Sequence, residues 1–321
     1  MSTGTDPLAP LADLPGVPEA VAEVRKAVDR LYGHRVMRRR APEVTSEAAL
    51  RGARASAALD GADWPLEEVR RRSDFSADPE ARTVGGALRI SAEAGQLLSV
   101  WRHSPLQVLA RLHLLAVGDA DESAGRPRLP GEGAAALFPL ELKAADTLPH
   151  DPGHEAHADG AAHHHGPADG ETTQGDDGPT GLPELPPAPS AEEATARLEQ
   201  LAQLLAARTE GSSGGTPALV VSAVVHGELL ALRPFGSHNG MIARAAQRIV
   251  LVAEGLDPKA ICPAEVGFVE LGTVAYRRAL QGYLSGTAEG MAAWIVHCGE
   301  ALRLGVREST AVCEAMQRGM V

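Results

Sequence analysis

The stretch that decides the fold is residues 226–244, HGELLALRPFGSHNGMIAR. In it, an Asn239-Gly240 turn leads directly into an apolar helix that carries Arg244 one turn after its start. A helix start offers unpaired backbone N–H groups and the positive end of the helix dipole, and a nearby arginine adds a forked cation that suits phosphate oxygens. The spacing therefore favours a phosphate-binding turn, while the competing interpretation is an ordinary Asn-Gly turn.

The flanking residues extend this pattern well beyond two positions. The segment resembles the Fic (Fido) family of nucleotidyl transferases, whose signature is HxFx(D/E)GNGRxxR with a further histidine seven residues upstream. His226 stands at that upstream position, and Phe235, Asn239, Gly240 and Arg244 match the signature. The resemblance predicts an all-α, Fic-like helical bundle with a long disordered or loop insertion.

Four other positions depart from the signature. Arg233 stands where the family has its catalytic histidine, Ser237 replaces the acidic metal ligand, His238 replaces the first glycine, and Met241 replaces the first arginine. In the family, the histidine takes a proton from the target hydroxyl and the acidic residue holds Mg²⁺. An arginine stays protonated and cannot act as a base, and a serine is a weak Mg²⁺ ligand. We therefore expect weak Mg²⁺ binding and assign no protein metal site.

These substitutions lead to three hypotheses about function. The first is a degenerate Fic-domain protein without efficient AMP transfer, acting as a nucleotide-binding or regulatory module for ATP or another nucleotide. The second is an active transferase of AMP or another phosphate-containing group onto a protein hydroxyl, with His238 as a displaced base. The third is a helical module that serves protein interaction only. The residues expected to contact a nucleotide are Ser237, His238, Asn239, Gly240 and Arg244.

An upstream segment, residues 55–61, is ASAALDG. It resembles the family's inhibitory helix motif, (S/T)xxxE(G/N), with Ser56 at its start and Asp60 in the glutamate position. The resemblance implies that Asp60 pairs with Arg244 and blocks the terminal phosphate of the donor. The alternative is a helix that ends at a Gly61 C-cap and has no regulatory role.

Two downstream segments extend the resemblance to roughly residues 40–305. Tyr276 to Leu280 is similar to a YxxAL helix of the family, and Trp294-Ile295 is similar to its closing helix. Composition agrees with a helical protein, because alanine, leucine, glutamate and arginine dominate and aromatic residues make up only 3%.

Charge and cysteine content limit which classes of partner and which cellular compartment we expect. The net charge of −12 and the absence of a basic stripe argue against a nucleic-acid surface. No apolar run is long enough to cross a bilayer, and the N-terminus does not resemble a signal peptide. The three cysteines have no CxxC spacing, so we expect buried thiols in a cytoplasmic protein. With nucleic acid and membrane disfavoured, we expect an unidentified protein as partner or target.

Periodicity and composition divide the chain into five parts. We expect a disordered tail, N-terminal helices with an inhibitory helix near 45–61, a low-complexity loop rich in His, Gly and Pro, core helices with the motif at 233–244, and a C-terminal helix. Their bounds are 1–16, 17–117, 118–189, 190–305 and 306–321. Within the fourth part a single helix is expected over about 263–284, and the next over 288–304.

The low-complexity interval, 118–189, holds six of the twelve histidines. Its composition predicts a loop or disordered insertion, and it contains no recognisable strands for the β-hairpin flap that Fic proteins usually have there. A zinc or nickel site at its histidines is an alternative, since imidazole binds both metals. The histidines in question are His154, His157, His163, His164 and His165.

Overall fold

A computed structural model describes residues 6–118, 121–145, 184–210 and 215–320. In these ranges the regular structure is entirely helical, which confirms the predicted all-α class. The helices are α1 (Val17–Tyr32), α2 (Met37–Leu59), α3 (Leu66–Arg71), α4 (Pro79–Glu93), α5 (Leu98–Trp101), α6 (Pro105–Val117), α7 (Ala191–Glu210), α8 (Ala218–Leu232), α9 (Asn239–Ala253), α10 (Ala264–Leu271), α11 (Thr273–Ser285) and α12 (Ala288–Gln317).

Helices α8 and α9 form the centre of the bundle. All but two residues of α8 are buried, and it has apolar side chains on every face, which is typical of a helix enclosed on all sides. Helix α9 is buried from Asn239 to Leu251, even though this stretch includes Arg244 and Arg248. Helices α2, α6, α11 and α12 pack around this pair, so the 226–244 segment lies in the interior of the fold.

The close approach of α10 to α12 depends on two glycines. A Cβ placed on Gly267 would lie 1.9 Å from the carbonyl oxygen of Ala301, and one on Gly305 would lie 2.4 Å from that of Pro263. Any side chain at these positions would collide with a backbone. These contacts bring α10 against α12.

Two predicted helix boundaries are wrong. The expected single helix over 263–284 is broken at Gly272, whose φ of +80° is a conformation that other residues rarely adopt. A Cβ there would lie 2.7 Å from the backbone nitrogen of Ala144, so the break also makes room for the insertion. The expected helices 288–304 and 306–321 are one continuous helix, α12. Its apolar face continues through Gly305, which therefore does not end it.

Of the tail predicted to be disordered, residues 1–16, the structure describes residues 6–16, and these are ordered. Asp6 pairs with Arg208 and accepts a 2.7 Å hydrogen bond from the hydroxyl of Thr216, and Leu8 is buried. A short 3-10 helix, Ala9–Asp13, then leads into α1. An ion pair, a hydrogen bond and a buried leucine hold these residues on the bundle despite their proline-rich composition.

The described parts of the insertion, 121–145 and 184–189, contain no helix or strand, as expected of a loop. Residues 121–145 nevertheless pack on the bundle, because they bury Arg128, Leu137 and Phe138. The five histidines of the suggested metal site lie outside the described residues. Among the residues that are described, no cluster of three or more His, Cys, Asp or Glu side chains could hold a metal ion.

Two further expectations concern membranes and thiols. No described helix is long and apolar enough to cross a membrane. All three cysteines, Cys262, Cys298 and Cys313, are free and buried, as predicted.

Candidate functional site

The motif loop joins α8 to α9. Helix α8 ends at Leu232, and its C-cap, Arg233, adopts a left-handed conformation with φ of +44°. The following Pro234 disfavours continuation of the helix through Arg233. The side chain of Asn239 then holds the loop closed. Its Oδ1 accepts from the backbone nitrogen of Phe235 at 3.0 Å, and its Nδ2 donates to the oxygen of the same residue at 2.8 Å. This amide fixes the start of α9.

His238 immediately precedes α9 and has φ of +54°. This is the left-handed region, where a glycine fits without strain and a histidine costs on the order of 1 kcal/mol. The ring is 22% exposed, and its Nδ1 lies 3.7 Å from Oδ2 of Asp60. On the inner side of the loop, Phe235 is buried and stacks on His113 of α6 with 4.4 Å between ring centroids.

Arg244 lies directly behind the loop and is only 1% exposed. Its guanidinium donates three hydrogen bonds to the C-terminal end of α2. The Nε donates to the hydroxyl of Ser56 at 3.0 Å, and the Nη2 donates to the Ser56 carbonyl at 2.9 Å and to Oδ1 of Asp60 at 2.5 Å. The Asp60–Arg244 contact that the resemblance implies is therefore present.

Asp60 lies at the N-terminus of α9 as well as beside Arg244. A Cβ placed on Gly240 would be 2.8 Å from Oδ1 of Asp60 and 3.0 Å from Nη1 of Arg244. Burial acts to raise the pKa of Asp60, but Arg244 and then His238 outweigh it, and the net pKa is lowered. A carboxylate of this chain thus lies beside both the first turn of α9 and a buried guanidinium.

The guanidinium of Arg233 bonds away from this cluster. Its Nη2 donates to the carbonyl oxygen of Pro186 at 2.6 Å, and its Nε is buried with no partner among the described residues. Burial, and then the charge of Arg128, lower the pKa of Arg233. Ser237 is partly exposed and makes no side-chain hydrogen bond within the described part of the chain. Arg233 and Ser237 are therefore separate from the Asp60 cluster in their bonding.

A segment of the insertion, residues 126–142, lies along the motif loop and forms a strap over it. Backbone nitrogens of Arg128 and Ala135 donate to the carbonyls of Pro234 and Gly236, both at 2.8 Å. The guanidinium of Arg128 is buried and donates to four main-chain carbonyls at the end of α8 and in the insertion. These are the carbonyls of Arg233 at 2.8 Å, Glu132 at 3.0 Å, Pro189 at 3.0 Å and Leu232 at 3.3 Å.

Sequence reasoning missed three participants. Arg128 lies in a proline-rich loop and bonds only to carbonyls, so no pattern of side chains marks it. His113 stacks on Phe235 from an ordinary apolar helix. Tyr276 was interpreted as a packing residue of α11, yet its hydroxyl lies 2.6 Å from Nε2 of His226. The sequence signal for this hydrogen bond is the tyrosine itself, because the hydroxyl of a buried tyrosine needs a hydrogen-bond partner.

Comparison with solved structures places this architecture among Fic proteins. The chain is similar to a Fic family protein from Desulfovibrio desulfuricans G20, with a TM-score of 0.63, 19% identity, and coverage of 93% of this chain and 75% of that one. It is also similar to a fragment of Fic-1 from C. elegans, with a TM-score of 0.57, 13% identity, and coverage of 93% and 73%. A variant of that fragment aligns with a TM-score of 0.52, 14% identity, and coverage of 91% and 72%.

No protein-family model and no curated protein sequence matches this chain. At identities of 13–19%, the structural similarity establishes the fold. The protein thus has a Fic fold, and the chemistry of its site depends on the side chains present there, because one fold can host many activities.

Proposed function

We propose that this protein is a Fic-fold nucleotide-binding or regulatory module with little or no AMP transfer, held closed by its own carboxylate. The observation that carries the proposal is the position of Asp60, between the N-terminus of α9 at Gly240 and the guanidinium of Arg244. A ligand phosphate would find its strongest contacts at this same point, so Asp60 and such a phosphate would exclude one another.

The affinity of this point for an anion has two independent sources. Helix α9 is 15 residues long, and Asn239 to Met241 present N–H groups that the helix itself leaves unpaired. Arg244 is buried, and its Nη1 has no hydrogen-bond partner among the described residues although it lies at the Gly240 turn. A buried guanidinium nitrogen without an acceptor is costly, and a phosphate oxygen would satisfy it.

The groups at the reactive positions support binding over transfer. Arg233 donates to Pro186 and cannot accept a proton from a hydroxyl. Ser237 offers one neutral oxygen where a hard cation prefers a carboxylate. We therefore expect Mg²⁺ to be held mainly by the nucleotide itself, and AMP transfer to be slow.

Calorimetric titration tests the proposal directly. ATP, ADP and CDP-choline are titrated, with and without Mg²⁺, into the unaltered protein, Asp60→Gly and Asp63→Gly. Asp63 is the matched control because it pairs with Arg54 at 2.5 Å and is far more exposed. We expect Asp60→Gly to bind at least one nucleotide about tenfold or more tightly, equal to about 1.4 kcal/mol, and the control to leave affinity unchanged.

Two results would contradict the proposal. If Asp60→Gly and the unaltered protein bind every nucleotide equally, Asp60 does not act as an internal competitor. If neither binds any nucleotide and no thermal shift is seen, the interaction-only hypothesis takes its place.

One observation favours a competing transferase function. Nδ1 of His238 lies 3.7 Å from Oδ2 of Asp60, so a small movement of the ring would form a hydrogen bond that orients it with Nε2 free to accept a proton. Mass spectrometry of the protein after incubation with ATP and Mg²⁺ would detect a nucleotidylated or phosphorylated product. A product that is lost in His238→Ala would establish this function, and a product that is lost only in Arg233→Ala would contradict both schemes.

A further inference from the structure

The far end of the strap, residues 137–142, is anchored on α11. Leu137 and Phe138 are buried there. Nη2 of Arg277 donates to the carbonyl oxygens of Leu137 at 3.3 Å and Phe138 at 3.2 Å, and the guanidinium carbon lies 5.7 Å from the centroid of the Phe138 ring. The same ring packs edge-on against Tyr276, with 4.6 Å between centroids. Phe138 and the main chain beside it therefore fix this end of the strap to the core of the bundle.

The backbone of Phe138 is in a conformation that its side chain disfavours. Its φ is +55°, in the left-handed region, which a residue with a large side chain rarely adopts because its Cβ approaches the following carbonyl oxygen. Strained residues of this kind persist only while the surrounding contacts hold them, and they cluster in ligand clamps and switch regions. Loss of the ring, or of the hydrogen bonds from Arg277, should therefore release this part of the strap from α11.

Next to this anchor, the strap contacts the turn that carries Asp60. A Cβ placed on Gly61 would lie 3.1 Å from Cγ of Pro139 and 3.8 Å from its Cβ, so one face of the proline ring packs on Gly61 while the rest of the ring is exposed. Gly61 directly follows Asp60 and, with φ of +106°, lies in the turn that ends α2. The carboxylate that bonds to Arg244 and the proline of the strap therefore share one short turn, and movement of that turn changes both contacts.

The near end of the strap is bonded to the motif loop through the backbone nitrogens of Arg128 and Ala135. The strap therefore joins the motif loop to the turn at Asp60, the two parts of the chain that meet at the anion-binding point. We propose that the strap holds the Asp60 carboxylate on Arg244, and that release of residues 137–139 from α11 opens this point to a nucleotide phosphate. The inference rests on the proposed function and deepens it, because it names the element that regulates the same site.

Nucleotide affinity in two backgrounds tests the proposal. Phe138→Ala is made in the unaltered protein and in Asp60→Gly, and ATP is titrated into each variant by calorimetry. In the unaltered protein we expect Phe138→Ala to tighten ATP binding about threefold or more, because the internal competitor is held less firmly. In Asp60→Gly, where the competitor is absent, the change should be below about twofold. An equal change in both backgrounds, or no gain in the unaltered protein, would overturn the proposal.

Leu129→Ala is the matched control within the strap. Leu129 is also a large apolar residue, but it is 51% exposed, whereas Phe138 is buried. We expect Leu129→Ala to change ATP affinity less than about twofold in either background. A gain in affinity equal to that of Phe138→Ala would contradict the role of the Phe138 anchor.

Arg277→Met loosens the strap without removing its aromatic residue. The change eliminates the donors to the carbonyls of Leu137 and Phe138. Arg278→Met is the control, because Arg278 is the next residue of α11, carries the same charge and is exposed. We expect Arg277→Met to bind ATP about threefold more tightly than Arg278→Met. Equal affinity of the two methionine variants would also count against the proposal.

Hydrogen exchange without nucleotide separates this inference from the proposed function. The backbone nitrogens of Asp60 and Gly61 donate to carbonyls in the last turn of α2, at 3.0 and 3.1 Å. We expect these two amides to exchange about threefold or more faster in Phe138→Ala than in the unaltered protein, and at an unchanged rate in Leu129→Ala. Faster exchange without ATP binding to any variant would support the hold of the strap on the turn and refute the proposed function. ATP binding to Asp60→Gly with unchanged exchange in Phe138→Ala would refute the inference alone.

Discussion

The two halves of the motif loop differ in how the fold uses them. Residues 239–244 are buried and hold the fold together, because Asn239 closes the loop, Gly240 leaves room for a carboxylate, and Arg244 bonds to α2. Residues 233–238 have other contacts. Arg233 bonds to the insertion, while Gly236 is exposed and Ser237 partly so.

This difference separates two meanings of a motif match. The positions that match the Fic signature in this chain are those that the fold itself needs, including Phe235, which is buried against His113. Of the positions that depart from it, Ser237 and His238 are partly exposed, whereas Arg233 and Met241 are buried. A match confined to structural positions is evidence for the fold and for an anion-binding turn, but it carries no evidence for the proton transfer that the signature is known for.

Among substitutions that test this difference between the two halves of the loop, we expect the largest loss of stability at Arg244. Replacement by alanine leaves Asp60 buried without its cation, which should destabilise the protein by about 3–5 kcal/mol. Arg303→Ala is the control, because its pair with Glu300 is exposed and should be worth less than about 1 kcal/mol. Urea unfolding at pH 7 measures both. If Arg244→Ala lowers the free energy of unfolding by less than about 1 kcal/mol, residues 239–244 do not hold the fold together.

The pH dependence of the free energy of unfolding tests whether Asp60 is held as a carboxylate by Arg244. Its pKa is lowered in the folded state, so the stabilisation is present above the unfolded value of about 3.9 and is lost as pH falls through the folded value. Asp60→Asn removes this contribution. We expect the unaltered protein to exceed the variant by about 2–3 kcal/mol at pH 7, and the gap to shrink as pH falls below about 4. A gap that is constant from pH 7 to pH 3 would contradict the pairing.

A methyl group at the turn tests the close fit of the carboxylate. Gly240→Ala places a Cβ within 3.0 Å of both Asp60 and Arg244 and should cost about 1–2 kcal/mol, even though alanine favours helix. Gly236→Ala has open space around its Cβ and is the control. Thermal and urea unfolding should show a loss only in the first variant. Equal stability of the two would mean that Asp60 moves away at little cost.

The smallest effect is expected at His238. Because its φ is +54°, His238→Gly should be more stable than His238→Ala by about 1 kcal/mol. Both variants lack the imidazole ring, so the effect of its loss on stability cancels when the two are compared. If the alanine variant is as stable as the glycine variant, the left-handed conformation at this position is not strained.

Much of the fold could be predicted from the sequence because it depends on local patterns. The Asn239-Gly240 turn predicted the start of an apolar helix, and α9 begins at Asn239. The contact of Asp60 with Arg244 joins residues 184 positions apart, and no local pattern reaches so far. The resemblance of the 55–61 segment to a known motif predicted this contact, and its inhibitory role stays a prediction.

Other features could not be predicted because they depend on main-chain contacts. The strap packs through backbone donors of Arg128 and Ala135, which every residue except proline could supply. The direction of the Arg233 side chain depends on the carbonyl of Pro186, which lies 47 positions away. Composition therefore identified the insertion as a loop but could not show that part of it covers the motif.

The way in which Arg128 is held has a consequence for how this protein can change. Each of its hydrogen bonds ends on a peptide carbonyl, so the identity of the side chains around it is unconstrained by that bonding. Neighbouring positions can drift in sequence while the insertion stays anchored. The arginine itself has no substitute, because a lysine ammonium is a single point with three donors and cannot span carbonyls that lie in different directions.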